Sequence, residues 1–214
     1  MKKWLLLMLA LTLLGAGLAG CAKNVHEDGA VAPAKPVIYL YPERETQVSV
    51  TLDFDGELTS TYPAYGEGWT VDASPDGTLT DPLTGREYYC LFWEGETDTE
   101  YDFSTGFCVA GADTAAFLEG ALTDLGLTEQ EANEFIIYWL PRMEGNAWNL
   151  ISFQTTAYTD SAVLTIDPVP DTLIRVFMAW QELDQPVEME HQIITAPERT
   201  GFTAVEWGGA EVKD

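Results

Sequence analysis

A succession of short β-strand patterns, separated by turn residues, constrains the fold of this chain more than any other feature. In residues 47–55, apolar side chains occupy every second position from Val48 to Phe54, so they share one face of an extended segment. Residues 37–41 are β-branched and aromatic and lie between two prolines, which predicts another strand. Further strands are predicted at residues 58–62, 69–73, 87–93, 104–110, 149–153, 162–166, 172–180, 187–194 and 202–207. Many short strands favour an antiparallel sheet system.

The middle of the chain changes to helical spacing. Asp113 is suited to cap a helix whose apolar residues fall on one side, and Gly126 is suited to end that helix. Thr128 and Glu131 then match a capping box that opens a second helix. We therefore predict an α+β fold: a predominantly antiparallel β-sheet domain with an inserted two-helix hairpin, forming a single domain over residues 35–214.

The beginning of the chain has the order of a secretory signal. Lys2 and Lys3 precede an apolar run over residues 4–19. Sixteen helical residues reach only about 24 Å, which is short of the roughly 30 Å hydrocarbon core of a bilayer. A cleaved signal over residues 1–20 is therefore favoured over a permanent membrane span.

The sequence Leu18-Ala19-Gly20-Cys21 resembles the lipobox of bacterial lipoproteins. The resemblance implies that Cys21 is alkylated with diacylglycerol and that the chain is cut just before it. Residues 21–34 are small and polar with no apolar periodicity, which is typical of a flexible tether. We therefore expect a palmitate-bearing, lipid-anchored protein of the cell membrane, whose domain faces the extracytoplasmic side.

The charge of the chain limits the classes of partner that it can bind. The sequence has 35 acidic and 10 basic residues and a net charge of −25. Nucleic acid is excluded as a partner because phosphate binding needs a basic surface. Nucleotide binding has no support either, because neither a phosphate loop nor a dinucleotide-binding glycine motif is present. A cationic ligand, a glycan or an envelope protein remain the candidate partners.

Four segments of the domain resemble a family of uncharacterised bacterial proteins. They are residues 35–42 (KPVIYLYP), 91–95 (LFWEG), 135–141 (FIIYWLP) and 201–209 (GFTAVEWGG). The resemblance extends over almost the whole predicted domain and supports its boundaries. It implies no activity, cofactor or catalytic residue.

One row of acidic residues is a candidate cation site. Five carboxylates occupy every second position: Glu94, Glu96, Asp98, Glu100 and Asp102. If the segment is extended, all five share one face and repel one another unless a cation such as Ca²⁺ neutralises them. The alternative is a solvated loop in which the charges splay apart. No other cofactor is indicated.

The two cysteines of the domain leave two alternatives open. Cys90 and Cys108 both lie in strand-like segments of a protein that we expect to be exported. They either form a disulfide, as exported pairs often do, or are buried as unpaired apolar residues.

Two functional hypotheses follow from the remaining residues. Aromatic side chains that share a groove could stack on a glycan or a peptide, and the candidates are Trp69, Trp93 and Trp148, together with Tyr62 and Tyr65. This supports a noncatalytic binding or interaction domain. The competing hypothesis is a glycosidase-like surface hydrolase that uses paired carboxylates, Glu94 beside Trp93 and Glu206 beside Trp207. It requires the two carboxylates to share a cleft.

Overall fold

A computed structural model describes residues 34–213. The predicted signal, the predicted lipidation site Cys21 and the tether up to residue 33 lie outside these residues. The described part has the predicted α+β fold, with mostly antiparallel sheets and a pair of helices. Ala34, which the sequence assigned to the tether, is already the first residue of the first strand.

The strands are β1 (Ala34–Tyr41), β2 (Thr46–Phe54), β3 (Glu57–Tyr62), β4 (Trp69–Ala73), β5 (Leu79–Thr80), β6 (Glu87–Tyr88), β7 (Leu91–Glu96), β8 (Thr105–Ala110), β9 (Trp148–Gln154), β10 (Ala162–Asp167), β11 (Thr172–Leu183), β12 (Glu190–His191) and β13 (Thr203–Glu211). The α-helices are α1 (Thr114–Asp124), α2 (Glu129–Met143) and α3 (Thr156–Ser161), and a 3₁₀ turn at Gly111–Asp113 precedes α1.

The strands form two sheets. The large sheet has eight strands in the order β12-β8-β9-β11-β13-β1-β7-β3, and the small sheet has five in the order β10-β2-β4-β5-β6. All pairings are antiparallel except β11 with β13 and β12 with β8. Strand β13 lies in the middle of the large sheet, and its residues 203–210 are all buried. Burial on both faces explains why residues 203–210 are small or apolar apart from Glu206.

The two faces of the large sheet belong to two separate cores. On one face, helices α1 and α2 pack against side chains such as Val37, Val205 and Trp207; we call this the helix-side core. On the other face, the small sheet contributes Val48 and other side chains to what we call the inter-sheet core. The domain therefore has three layers: a helix pair, a large sheet and a small sheet.

The helix hairpin follows its predicted signals with one exception. The Thr128 hydroxyl accepts from the Glu131 backbone N–H while the Glu131 carboxylate accepts from the Thr128 backbone N–H, so the capping box is confirmed. Gly126 follows α1 with a φ of +84°, a left-handed conformation that suits glycine. The prediction for Asp113 is wrong: its backbone is already helical and its side chain makes no capping hydrogen bond, because the 3₁₀ turn leads directly into α1.

Two predicted strands differ from the structure. Residues 87–93 are divided between β6 in the small sheet and β7 in the large sheet, because the chain crosses from one layer to the other at Tyr89 and Cys90. Of residues 187–194, only Glu190 and His191 form a strand, at the edge of the large sheet. Most of that segment is exposed, and beyond its two-residue pairing with β8 it contacts the sheet through Gln192, whose side chain hydrogen-bonds to the backbone of Phe153.

Candidate ligand-binding groove

The crossing between the two sheets creates a groove rich in exposed tyrosine. It has a volume of about 390 Å³ and lies beside β1, β3 and β7. We call it the tyrosine groove and define it by its lining residues: Lys35, Val37, Tyr62, Glu87, Tyr88, Tyr89, Cys90 and Phe92. Tyr62 and Phe92 are paired across β3 and β7, so both side chains point to the same face of the large sheet as Val37.

The tyrosine rings of the groove are held by contacts with one another. Tyr62 and Tyr89 are 51% and 59% exposed, so about half of each side chain is open to solvent. The Tyr62 ring meets Tyr88 edge to face at a centroid distance of 5.5 Å, and the Tyr89 ring lies 6.5 Å from Tyr39. The Arg86 guanidinium lies over both Tyr62 and Tyr88, at 5.9 and 5.7 Å from their centroids. These contacts position aromatic faces and edges at the surface before any ligand arrives.

Lys35 brings a positive charge to the lining of the groove. Its Nζ lies 5.1 Å from the centroid of Tyr138 on α2 and 5.6 Å from that of Trp207 on β13. The backbone has a φ of +55° at Lys35, where β1 departs from regular pairing with β13. The Lys35 backbone N–H donates to Glu94 Oε1 at 3.1 Å instead of to a neighbouring strand. The irregularity in β1 therefore determines the position of the Lys35 side-chain amine.

Acidic side chains surround the same region. Glu87 lines the groove and is exposed. The Tyr39 hydroxyl donates to Glu134 Oε2 of α2 at 2.7 Å. Burial, and then the Glu134 carboxylate, raise the pKa of Tyr39 well above its usual value, so its hydroxyl remains a donor. Among the lining residues, Lys35 is a hydrogen-bond donor and Glu87 is an acceptor.

The Cys90 thiol forms part of the floor of the groove. Burial, together with the negative charge of Glu134, raises the pKa of this thiol to about 12. The thiolate is the nucleophilic form of cysteine, and at neutral pH it is almost absent here. Cys90 therefore contributes an apolar surface rather than a reactive group.

Cys90 and Cys108 are both free thiols in the structure. Cys90 directly precedes β7 and Cys108 lies in β8, and four strands separate β7 from β8 in the large sheet. Neighbouring strands are about 4.8 Å apart, whereas a disulfide needs Cα atoms within about 7 Å. Cys90 and Cys108 are therefore too far apart to form a disulfide, so the disulfide alternative is wrong.

The acidic row is divided between a strand and an irregular segment. Its members are Glu94, Glu96, Asp98, Glu100 and Asp102, of which only the first two belong to β7. The Asp102 carboxylate accepts from the backbone N–H and the hydroxyl of Ser104 at 2.7 and 2.9 Å, which lowers its pKa. Within residues 34–213, no three acidic, histidine or cysteine side chains are arranged to hold a metal ion. Glu96 and Asp98 line one surface pocket, and the other carboxylates of the row do not line it.

The tryptophan candidates do not form a ligand-stacking surface. Trp69 and Trp93 are only 3% and 0% exposed, because both fill the inter-sheet core. Their assignment as ligand-stacking residues is therefore wrong. Trp148 is half-buried at the start of β9 and does not line the tyrosine groove. Of the aromatic residues that the sequence singled out, Tyr62 is the one that lines it.

The carboxylates of the hydrolase hypothesis lie on opposite faces of the large sheet. Glu94 is two residues after Phe92, which packs against the helix-side core, so Glu94 points to that side. Glu206 lies between Val205 and Trp207, which also point to the helix-side core, so its own side chain points to the inter-sheet core. The two carboxylates cannot share a cleft.

Glu206 is a buried ionic residue and not a surface acid. It is 0% exposed, and its carboxylate accepts from Trp93 Nε1 at 3.1 Å and from Arg175 Nε at 2.7 Å. A sugar cannot reach it without opening the space between the two sheets. This removes the paired-carboxylate arrangement on which the hydrolase hypothesis depends.

The signal for the groove in the sequence is the cluster of aromatic residues at positions 88–93. Tyr88, Tyr89, Phe92 and Trp93 give this segment aromatic side chains on both faces. Where the chain crosses between sheets, only part of this aromatic surface can enter a core, and the remainder stays exposed. The crossing itself is a tertiary feature that the local pattern does not reveal.

These features define a three-layered α+β protein with an exposed aromatic groove. Among residues 34–213, no helix is long and apolar enough to cross a bilayer. No family model matches the chain, and no solved structure matches it.

One relative carries the family assignment. The chain is 39% identical over 99 residues to a protein of Butyrivibrio fibrisolvens described as "Uncharacterized protein in bglA 3'region". The matched region covers 45% of this chain and 100% of that protein. The chain therefore belongs to the same family as this uncharacterised protein.

Proposed function

We propose that the protein is a lipid-anchored, noncatalytic binding protein that takes up an extracytoplasmic ligand in the tyrosine groove. The observation that carries this proposal is the pair of half-exposed rings, Tyr62 and Tyr89, held in place around a concave surface of about 390 Å³. Pockets of this kind, with apolar and aromatic walls and a few polar groups, are typical of small-ligand sites.

The anchoring part of the proposal rests on the lipobox resemblance at Cys21. Two acyl chains hold a protein on a bilayer durably, whereas a single chain holds it only marginally. The test is detergent-phase partitioning and palmitate labelling of the full chain expressed in a bacterium, with Cys21→Ala as the matched variant. We expect the native chain in the detergent phase with label and the variant without label. An unlabelled native chain would contradict the anchor.

The binding part is tested with the mature-length chain, residues 21–214 carrying Cys21→Ser. Oligosaccharides and short peptides are screened by calorimetry against this protein and against Tyr62→Ala and Tyr89→Ala. Ile193→Ala is the control, because this side chain is 92% exposed and lies beside β12, at the opposite edge of the large sheet from β3. We expect at least one ligand whose binding weakens in the tyrosine variants and not in the control.

A further inference from the structure

We infer that the ligand of the tyrosine groove is a short neutral oligosaccharide. This inference rests on the proposed binding function and assigns its ligand class. The size of the groove, the balance of its polar groups and the strands that form its floor favour this class of ligand.

The volume of the groove limits the size of the ligand. Small-molecule sites span roughly 300–1,000 Å³, and the groove, at about 390 Å³, is near the lower end. Such a space takes one or two sugar rings. The flat rings of Tyr62 and Tyr89 suit the apolar C–H face of a pyranose, which is itself flat and rigid.

The polar groups around the groove carry both signs of charge. Of the lining residues, Lys35 can donate hydrogen bonds and the Glu87 carboxylate can accept them, and the Arg86 guanidinium lies beside them over Tyr62 and Tyr88. A sugar hydroxyl both donates and accepts, so a polyol matches such a mixed rim. A strongly anionic ligand would meet the Glu87 carboxylate, and a strongly cationic ligand would meet the Lys35 amine. A neutral ligand avoids both repulsions.

The floor of the groove does not favour an extended peptide. Peptides are commonly bound by adding a strand to an exposed sheet edge, where backbone groups are free. The floor strands β1 and β7 each have a neighbour on both sides in the large sheet. Tyr62 is the last residue of β3, and Pro63, which follows it, has no backbone N–H to donate. The edge strands β3 and β6 border the groove with Tyr62, Glu87 and Tyr88, so the peptides of the panel test strand addition there.

The experiment uses the mature-length chain with Cys21→Ser and a panel of neutral tetrasaccharides built from glucose, xylose, mannose or N-acetylglucosamine. An acidic galacturonate oligomer and a set of short peptides complete the panel. Affinities are measured by calorimetry at low and at high salt. We expect a neutral member to bind with an affinity that salt hardly changes, because no net ligand charge is screened.

Variants then locate the binding. Removing one stacking ring, by Tyr62→Ala or Tyr89→Ala, should lower the affinity for the oligosaccharide about two- to tenfold. Tyr89→Phe keeps the ring and should retain most of the affinity, and Ile193→Ala should change nothing. Circular dichroism of each variant checks that the fold is intact.

The outcomes separate the ligand class from the groove. If peptides or the galacturonate oligomer bind in a tyrosine-dependent way and no neutral oligosaccharide does, the ligand class is wrong and the binding function stands. If an oligosaccharide binds equally well to both alanine variants, the groove is not its site. If nothing in the panel binds, the inference is overturned.

Discussion

At the scale of single residues, the ion pair between Glu206 and Arg175 is the most demanding feature of the core. Both side chains lie between the two sheets, with the Glu206 side chain 0% and the Arg175 side chain 10% exposed. The Arg175 guanidinium also lies 4.8 Å from the centroid of the Tyr158 ring. Charges removed from water to this degree are tolerated only when each has its partner.

Glu206→Gln should therefore destabilise the protein by about 3–5 kcal/mol, because it leaves the Arg175 charge buried without a carboxylate. The measurement is the free energy of unfolding in urea. Glu94→Gln is the matched control, since Glu94 is only half-buried and a glutamine oxygen can still accept from the Lys35 backbone N–H. Its effect should stay below about 1 kcal/mol.

Equal effects of the two substitutions would contradict this account of Glu206. The double variant Arg175→Met/Glu206→Leu provides a second check. Replacing both charges by apolar side chains removes the unpaired charge, so it should recover part of the stability that Glu206→Gln loses.

At the scale of elements, the turn between α1 and α2 is fixed by two local motifs and one distant residue. After α1, the backbone N–H groups of Gly126 and Leu127 donate to Thr123 and Leu122, and the capping box of Thr128 then opens α2. Arg199, far along the chain, pairs with the Glu131 carboxylate and donates to the Gly126 carbonyl at 2.9 Å. The turn thereby becomes attached to the segment that leads into β13.

Removing the cap at Thr128 should lower the stability of the protein only modestly. Thr128→Ala leaves the backbone N–H of Glu131 without its hydroxyl partner and should lower the free energy of unfolding by about 1 kcal/mol. Thr128→Ser keeps the hydroxyl and should remain close to the native protein. Unfolding in urea measures both. A serine variant as unstable as the alanine variant would show that the cap is not the cause.

The elements that the sequence predicted correctly are those with complete local signals. The alternation in β2, with Val48, Val50 and Leu52 buried, follows from one half-buried face, and the capping box of α2 involves residues only three apart. The predictions for residues 87–93 and 187–194 differ from the structure because the outcome there depends on which sheet, if any, offers a partner strand. Strand propensity carries no such information.

At the scale of the whole molecule, buried phenols and a buried thiol make the stability of the protein decrease at high pH. Burial is the main cause that raises the pKa values of Tyr39, Tyr41, Tyr101 and Tyr158 above their ordinary value of 10.0, and that of Cys90 from 9.0 to about 12. The native state therefore keeps protons that the unfolded chain releases. Their contribution to stability is fully present below about pH 9 and is lost as the pH rises.

We therefore expect the free energy of unfolding to fall steeply as the pH rises from about 9 through 10 and above. Near-ultraviolet absorbance follows tyrosine ionisation, and far-ultraviolet circular dichroism follows the fold. The buried tyrosines should ionise only together with loss of the fold. Ionisation of all tyrosines in one step near pH 10, with the fold retained, would contradict their burial.

The sequence by itself determined the α+β class, most strands, the helix hairpin, the glycine after α1 and the capping box of α2, because these depend on residues only a few positions apart. Only the tertiary structure decided that Trp69, Trp93 and Glu206 are core residues and that Tyr62 and Tyr89 line a groove. Alternation along a strand shows which side chains share a face, but it does not show what covers that face. The cover comes from pairing between distant strands and from the packing of three layers, which no local pattern records.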